Sequence, residues 1–314
     1  MNISYGEALS KGWGRMKKAL FNPFDPGKWF AVGFTAFLAS LVDGFNTGNS
    51  SYKQGKGNWN IENMADYPRI AWEWLLNNPF WFMLIGLGIL LLFALGILLL
   101  WLSSRGNFMF LDNVVHDRAL VSKPWNQFKA LGYSLFLWRL CFGFIIFAIF
   151  SLFAVIAGSV FYFFHGSNFS GLVTGLTITG MVLWFFALCI IAGYISLFLN
   201  HFIVPIMYKN NISAVDAWRR FMPLFSGYML NFIIYGIIIL LLHLLVVICV
   251  VIIGLSTCCI GFIILSIPYI GKVILLPVSY TFRAMSVEFL EQFGHEFKIF
   301  PELYDNDLNG VYEL

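Results

Sequence analysis

NISAVDAWRRFMPLF, residues 211–225, is a polar, twice-basic segment set between two long apolar runs. Ser213 is placed to cap a helix, its oxygen accepting a backbone N–H, and Asp216 three positions on complements the positive end of the helix dipole. The same grammar opens the chain, where ISYGEALSK, residues 3–11, sets Ser4 ahead of Glu7. A shorter copy, VSKPWNQF at 121–128, makes Ser122 a third candidate N-cap, and its Trp125 and Phe128 repeat the spacing of Trp218 and Phe221. Each header is followed by a stretch of apolar sequence long enough for a pair of membrane crossings. The chain therefore reads as three successive units of interfacial helix plus transmembrane hairpin.

Composition places those hairpins in lipid. Of 314 residues, 60% are hydrophobic and 11% charged, against roughly 45–50% and about 25% in a soluble domain. Windows of about 19 residues, the length that crosses a hydrocarbon core roughly 30 Å thick, give about six candidate spans: 28–46, 79–102, 133–164, 171–208, 227–253 and 257–282. The third and fourth exceed one crossing, so they tilt or project beyond the membrane. The expectation is an all-α polytopic integral membrane protein forming one domain. Its parts are an amphipathic helix at 1–27, a first hairpin at 28–102 with an outside loop at 47–78, a second unit at 103–208, a third at 209–285, and a tail at 286–314.

Charge sets the orientation. The basic residues gather at 11–28, 105–129, 209–220 and 283–298, whereas the opposite loops hold Lys53, Lys56 and Arg69. Loops rich in Lys and Arg stay in the cytoplasm, which predicts both termini inside and a bacterial-type inner (plasma) membrane. The first twenty residues are amphipathic, with no apolar core of a cleavable signal. Tyr5, Leu9, Trp13, Met16 and Leu20 recur at helical spacing, as in a helix lying on a membrane surface or on the protein's own underside.

Ionisable groups inside spans are costly and few. Arg139 and Lys272 both fall in the inner half of the bilayer. They either snorkel to the interface or line a basic recess for an anion such as a lipid phosphate. Lys272 sits in IPYIGKVILLP, residues 267–277, where Pro268, Gly271 and Pro277 can interrupt a helix. Asn231 and His243 are candidates to complete that recess or are packing residues between helices.

Signatures of catalysis are missing: no H-E-x-x-H, G-x-S-x-G, Walker loop or dinucleotide fingerprint occurs in a suitable setting. Asp112, His116 and Asp117 form one dense polar group, readable as acid–base machinery or as a solvated helix face. Cys141, Cys189 and Cys249 fall inside spans and Cys258 and Cys259 adjoin, which is neither a disulfide nor a metal framework. No catalytic residue, cofactor or metal is expected, and no nucleic-acid partner. Membrane lipids are the expected partners, with a membrane protein or a second copy of the chain beside them.

Two further segments carry a resemblance. FNPFDPGKW, residues 21–29, and FRAMSVEFLEQFG, residues 282–294, resemble an uncharacterised family of bacterial six-span proteins. That family is similar to the membrane domain attached to some glycerophosphodiester phosphodiesterases, in which capped amphipathic helices also precede hairpins. The resemblance implies an integral membrane protein without the attached enzyme. The resulting expectation is a non-catalytic membrane module binding lipid or a partner, with a transporter or lipid-handling protein for an anionic solute as the alternative and a membrane-embedded enzyme last.

Overall fold

The computed structural model describes residues 3–42, 67–165, 171–257 and 260–301, and among these the chain is helical with no strand. Helix α1 (Tyr5–Phe21) starts where the sequence expects: Ser4 Oγ accepts from Glu7 N at 3.2 Å, with Glu7 in the first turn and Lys18 in the last. Both charges complement the helix dipole. Asp25 caps α2 (Pro26–Ala39), accepting from Gly27 N at 2.8 Å, with Pro26 in the first turn, where its missing N–H costs nothing. Next come α3 (Tyr67–Asn77) and the 37-residue α4 (Pro79–Val115). The short α5 (Ser122–Gln127) leads into α6 (Lys129–His165), also of 37 residues.

Helix α7 (Gly171–Phe198) continues through one π turn, Leu199–Ile203, into α8 (Val204–Asn210). Ser213 then caps α9 (Ala214–Gly227), accepting from Asp216 N and donating to the Asp216 carboxylate at 2.6 Å. The chain closes with α10 (Met229–Ser256), α11 (Ile260–Ser266), α12 (Pro268–Ile274), α13 (Leu276–Glu291) and a 3-10 turn at His295–Phe297.

Ser122 departs from expectation. It is the first residue of α5, Val121 occupies the cap position, and no side chain caps the helix. The segment is instead fixed by its aromatic residue: Trp125 and Trp101 both lie against the Arg105 guanidinium, at 4.8 and 4.4 Å from the ring centroids, a cation–π clasp.

Among the described residues four helices are long and apolar enough to cross a membrane: Pro79–Val115, Lys129–Val160, Val173–Asn210 and Met229–Ser256. A fifth results if α12 and α13, bent by 64°, are counted as one. The first expected span is represented by α2, whose 14 residues reach about 21 Å. Residues 43–46 of that span, and most of the loop expected at 47–78, lie outside the described residues. The last expected span, 257–282, is divided among α11, α12 and the start of α13. Pro268 begins α12 and Pro277 is the second residue of α13, because a proline cannot donate to the turn before it.

The packed core sits at one end of the long helices. Its residues come from Ser103–Val115 of α4, the first turns of α6 (Leu131, Leu135), the π turn and α8, the first half of α10 (Phe232, Tyr235, Ile239) and most of α13. Phe198, Phe202, Phe221, Phe232, Tyr235 and Phe289 interlock there with ring centroids mostly 4.4–6 Å apart, the spacing of edge and offset stacking. Helix α1 lies along α13, and Gly12 permits the approach: a Cβ there would stand 2.9 Å from Met285 N. Beyond this core the long helices carry outward Leu, Ile and Phe on nearly every face, as at Leu90–Phe93 and Leu240–Leu245, the surface a hydrocarbon environment accepts.

Residues 286–301 are not a tail. Phe289, Leu290, Phe297 and Phe300 are buried, and Glu291 Oε1 accepts from Ile299 N and Phe300 N at 2.6 and 2.7 Å, folding the chain back. The acidic segment from residue 302 onward lies outside the described residues.

Candidate anion-binding recess

The π turn is the local feature from which the site is built. In an α-helix Val204 N–H would bond Asn200 O; here it bonds Leu199 O. Pro205 lacks an N–H for His201 O, so widening this turn relieves the proline and releases one carbonyl. Asn200 O accepts instead from Arg283 Nη1 at 2.6 Å. Such single π turns recur at functional sites in other proteins.

From Asn200 a closed ring of hydrogen bonds runs through five segments. Arg139 donates from Nη2 to Asn200 Oδ1 and from Nη1 to Ser103 Oγ at 3.3 Å. Ser103 Oγ donates to Ala39 O, at the end of α2, at 2.7 Å. Asn107 Nδ2 donates to the same carbonyl at 3.3 Å, and Asn107 Oδ1 accepts from Arg283 Nη2 at 2.8 Å. Two arginines are thus fixed in orientation by the oxygens of this ring.

Beside the ring lies a cavity of about 210 Å³. Ala36, Ala39 and Ser40 of α2 wall one side; Asn107, Phe110, Asn200 and His201 form another; His243 of α10, Lys272 of α12, and Ser279, Phe282, Arg283 and Ser286 of α13 complete it. His201 Nδ1 meets Tyr235 OH at 2.8 Å. His243 Nδ1 lies 2.8 Å from Ile239 O, a bond that requires the proton on Nδ1, and its ring packs on Phe282. The lining among the described residues therefore holds two fixed cations, two imidazoles and no carboxylate. That composition can receive a group the size of a phosphate.

Of the residues expected at such a recess, Lys272 and His243 line it and Arg139 reaches it through Asn200. Asn231 does not: its Nδ2 donates to Tyr5 OH at 3.3 Å, tying α10 to α1. Asn107, Asn200, His201 and Arg283 were not anticipated. The signal for the middle pair was present, since Asn200 and His201 are adjacent polar residues in an otherwise apolar span, five and four positions before Pro205 respectively.

The Asp112, His116 and Asp117 group separates. Asp112 is buried and accepts two-pronged bonds from Arg118 at 2.7–3.0 Å, with His116 Nδ1 3.3 Å away, whereas Asp117 pairs with Lys28 at 2.8 Å. Cys141, Cys189 and Cys249 are free and exposed on outward faces, and Cys258 and Cys259 lie outside the described residues.

A model of one protein family matches residues 4–291. The chain belongs to that family, DUF7544, a family of unknown function. The match opens at Ser4, the cap of α1, and closes at Glu291, the last residue of α13, so the ring and the recess both lie within it. No curated protein and no solved structure matches the chain.

Proposed function

We propose that this protein is a non-catalytic integral membrane module that binds the phosphate group of an anionic lipid in the recess beside the π turn. The observation that supports this is the cavity lining, Lys272 and Arg283 with His201 and His243, beside apolar outward surfaces on α10 and α11 where acyl chains can lie. In this reading the chain crosses a bacterial inner (plasma) membrane six times, α2 and the broken α11–α12 segment supplying the crossings beyond the four long helices. The basic end, with both termini, faces the cytoplasm, and the three headers mark three related units. The relation to the membrane domain of glycerophosphodiester phosphodiesterases belongs to the same proposal.

The test is lipid retention. Protein taken from nanodiscs of mixed phosphatidylcholine and phosphatidylglycerol is analysed by native mass spectrometry. Phosphatidylglycerol is expected to stay bound selectively, and Lys272→Gln, which leaves the hydrogen-bond ring intact, should lower its retention about tenfold by removing one charge-assisted contact. Equal retention of both lipids, or no change in the variant, would refute the reading.

The bend between α12 and α13 favours a second reading, in which the same recess releases its lipid to the other leaflet. Transfer of labelled phosphatidylglycerol between leaflets of reconstituted vesicles, absent in Lys272→Gln, would distinguish it from static binding.

A further inference from the structure

Arg105 lies on α4 two turns beyond Leu98, the last fully exposed large apolar residue of that helix, and so about 10 Å further toward the basic end at a rise of about 1.5 Å per residue. In the membrane orientation proposed above, that is the level of the lipid headgroups, where tryptophan gathers. The stem of Arg105 runs against α6, and Gly132 makes room for it: a Cβ there would stand 2.8 Å from Arg105 Cγ. The guanidinium sits in a corner made by Trp101, one turn earlier on α4, and Trp125 of α5. Their ring centroids lie 4.4 and 4.8 Å from Arg105 Cζ and 5.8 Å from each other, with the ring planes at 85°. Rings that also touch one another stand on adjacent sides of the guanidinium, so its other sides are left uncovered by them.

Arg105 is 8% exposed, yet among the described residues its guanidinium has no hydrogen-bond or ion-pair partner. Nε is enclosed without an acceptor, whereas Nη1 and Nη2 are not enclosed. The indole N–H groups of Trp101 and Trp125 are likewise neither enclosed nor bonded among the described residues. A guanidinium carries five N–H donors and no acceptor, and burying a charge without a partner is costly. The indoles offset part of that cost through cation–π attraction, but they supply no acceptor. The opposite face of α4 carries Ser103 and Asn107, which belong to the hydrogen-bond ring, so the corner is separate from the recess. What the corner lacks is an oxyanion arriving from the membrane surface, and the planar fork of arginine matches phosphate oxygens two at a time. A corner that offers donors alone cannot read a headgroup. It fits the phosphodiester oxygens that glycerophospholipids share.

We propose that the corner formed by Trp101, Arg105 and Trp125 binds a phosphate group at the membrane surface, with the Arg105 guanidinium as its anion contact. Two sources of the group are separable: the phosphodiester of a phospholipid, whatever its headgroup, and soluble phosphate. The full chain in dodecyl maltoside micelles is titrated with phosphatidylcholine, and retained lipids are counted by native mass spectrometry. The same micelles without lipid are titrated calorimetrically with inorganic phosphate. Phosphatidylcholine is the lipid probe because the recess is expected to take an anionic lipid, so the two sites are tested separately.

Retained phosphatidylcholine assigns a lipid source and saturable phosphate binding a soluble one, provided that Arg105→Gln weakens the signal about tenfold or more by removing a charge-assisted contact. Arg105→Lys keeps the charge but not the planar fork; it serves where Arg105→Gln does not fold, with a loss of about threefold or more. Absence of both signals, or their persistence in the Arg105 variants, overturns the proposal. So does a signal that Lys272→Gln abolishes and the Arg105 variants leave intact, since that would place the group in the recess. A dimer that Arg105→Gln dissociates would also overturn it, by giving the guanidinium to a second copy of the chain.

Discussion

Arg15 is fully buried on α1 and donates from Nε to the Glu288 carboxylate on α13, itself 5% exposed, while its guanidinium lies 3.7 Å from the centre of the Phe300 ring. Replacing Arg15 with Met keeps the volume and takes from Glu288 the guanidinium that donates to it. Removing one partner of a buried pair costs about 3–5 kcal/mol, because the remaining charge loses its compensation; replacing both by apolar residues is near neutral. Part of the loss in Arg15→Met is the cation–π contact, up to about 2 kcal/mol when desolvated. The expected opening constant of α1 therefore rises by about two to three and a half powers of ten.

Hydrogen exchange of peptides from Tyr5–Phe21 in nanodiscs reads that constant directly, since α1 opens as a local unit while the middle of α10 serves as reference. Glu288→Leu should show a similar loss of protection, and the double variant R15M/E288L should recover to within about thirtyfold of the parent, the remainder being the lost cation–π contact. Protection unchanged in Arg15→Met, or a double variant showing the sum of both losses, would refute the view that this ion pair holds α1 on α13.

Ser213→Ala should lower stability by about 1 kcal/mol through the lost cap, whereas Ser122→Ala, which removes no capping bond, should leave the melting temperature unchanged in detergent. Gly106→Ala places a Cβ 2.5 Å from Ala39 N and should cost about 1–3 kcal/mol by separating α2 from α4; Gly88→Ala on the same helix meets nothing within 4 Å and should be neutral or stabilise by up to about 1 kcal/mol. Asn200→Ala deletes the oxygen that receives Arg139 and should cost about 1.5–3 kcal/mol, while Asn200→Asp, which keeps an acceptor, should melt closer to the parent than the alanine variant does.

The amino-acid sequence by itself determined what depends on near neighbours along the chain. Helix starts at Ser4 and Ser213 follow from a side chain reaching three residues ahead, and the long apolar helices follow from composition over one or two dozen residues. The interruptions at Pro268 and Pro277 follow from a missing N–H. Where a local pattern was incomplete, as at Ser122 without its acidic partner, the cap did not form.

Tertiary structure alone decided which polar groups meet. Asn231 and His243 are equally plausible companions for Lys272 when read along the chain, but the packing of α1 against α10 gives Asn231 to Tyr5 while His243 lines the recess, and the π turn before Pro205 frees a carbonyl that draws Arg283 there. Likewise Asp112 and Asp117, five residues apart, part because one helix ends between them and the chain reverses. Such choices are made by burial: a polar group removed from water must take whichever partner the packing of distant segments brings within reach.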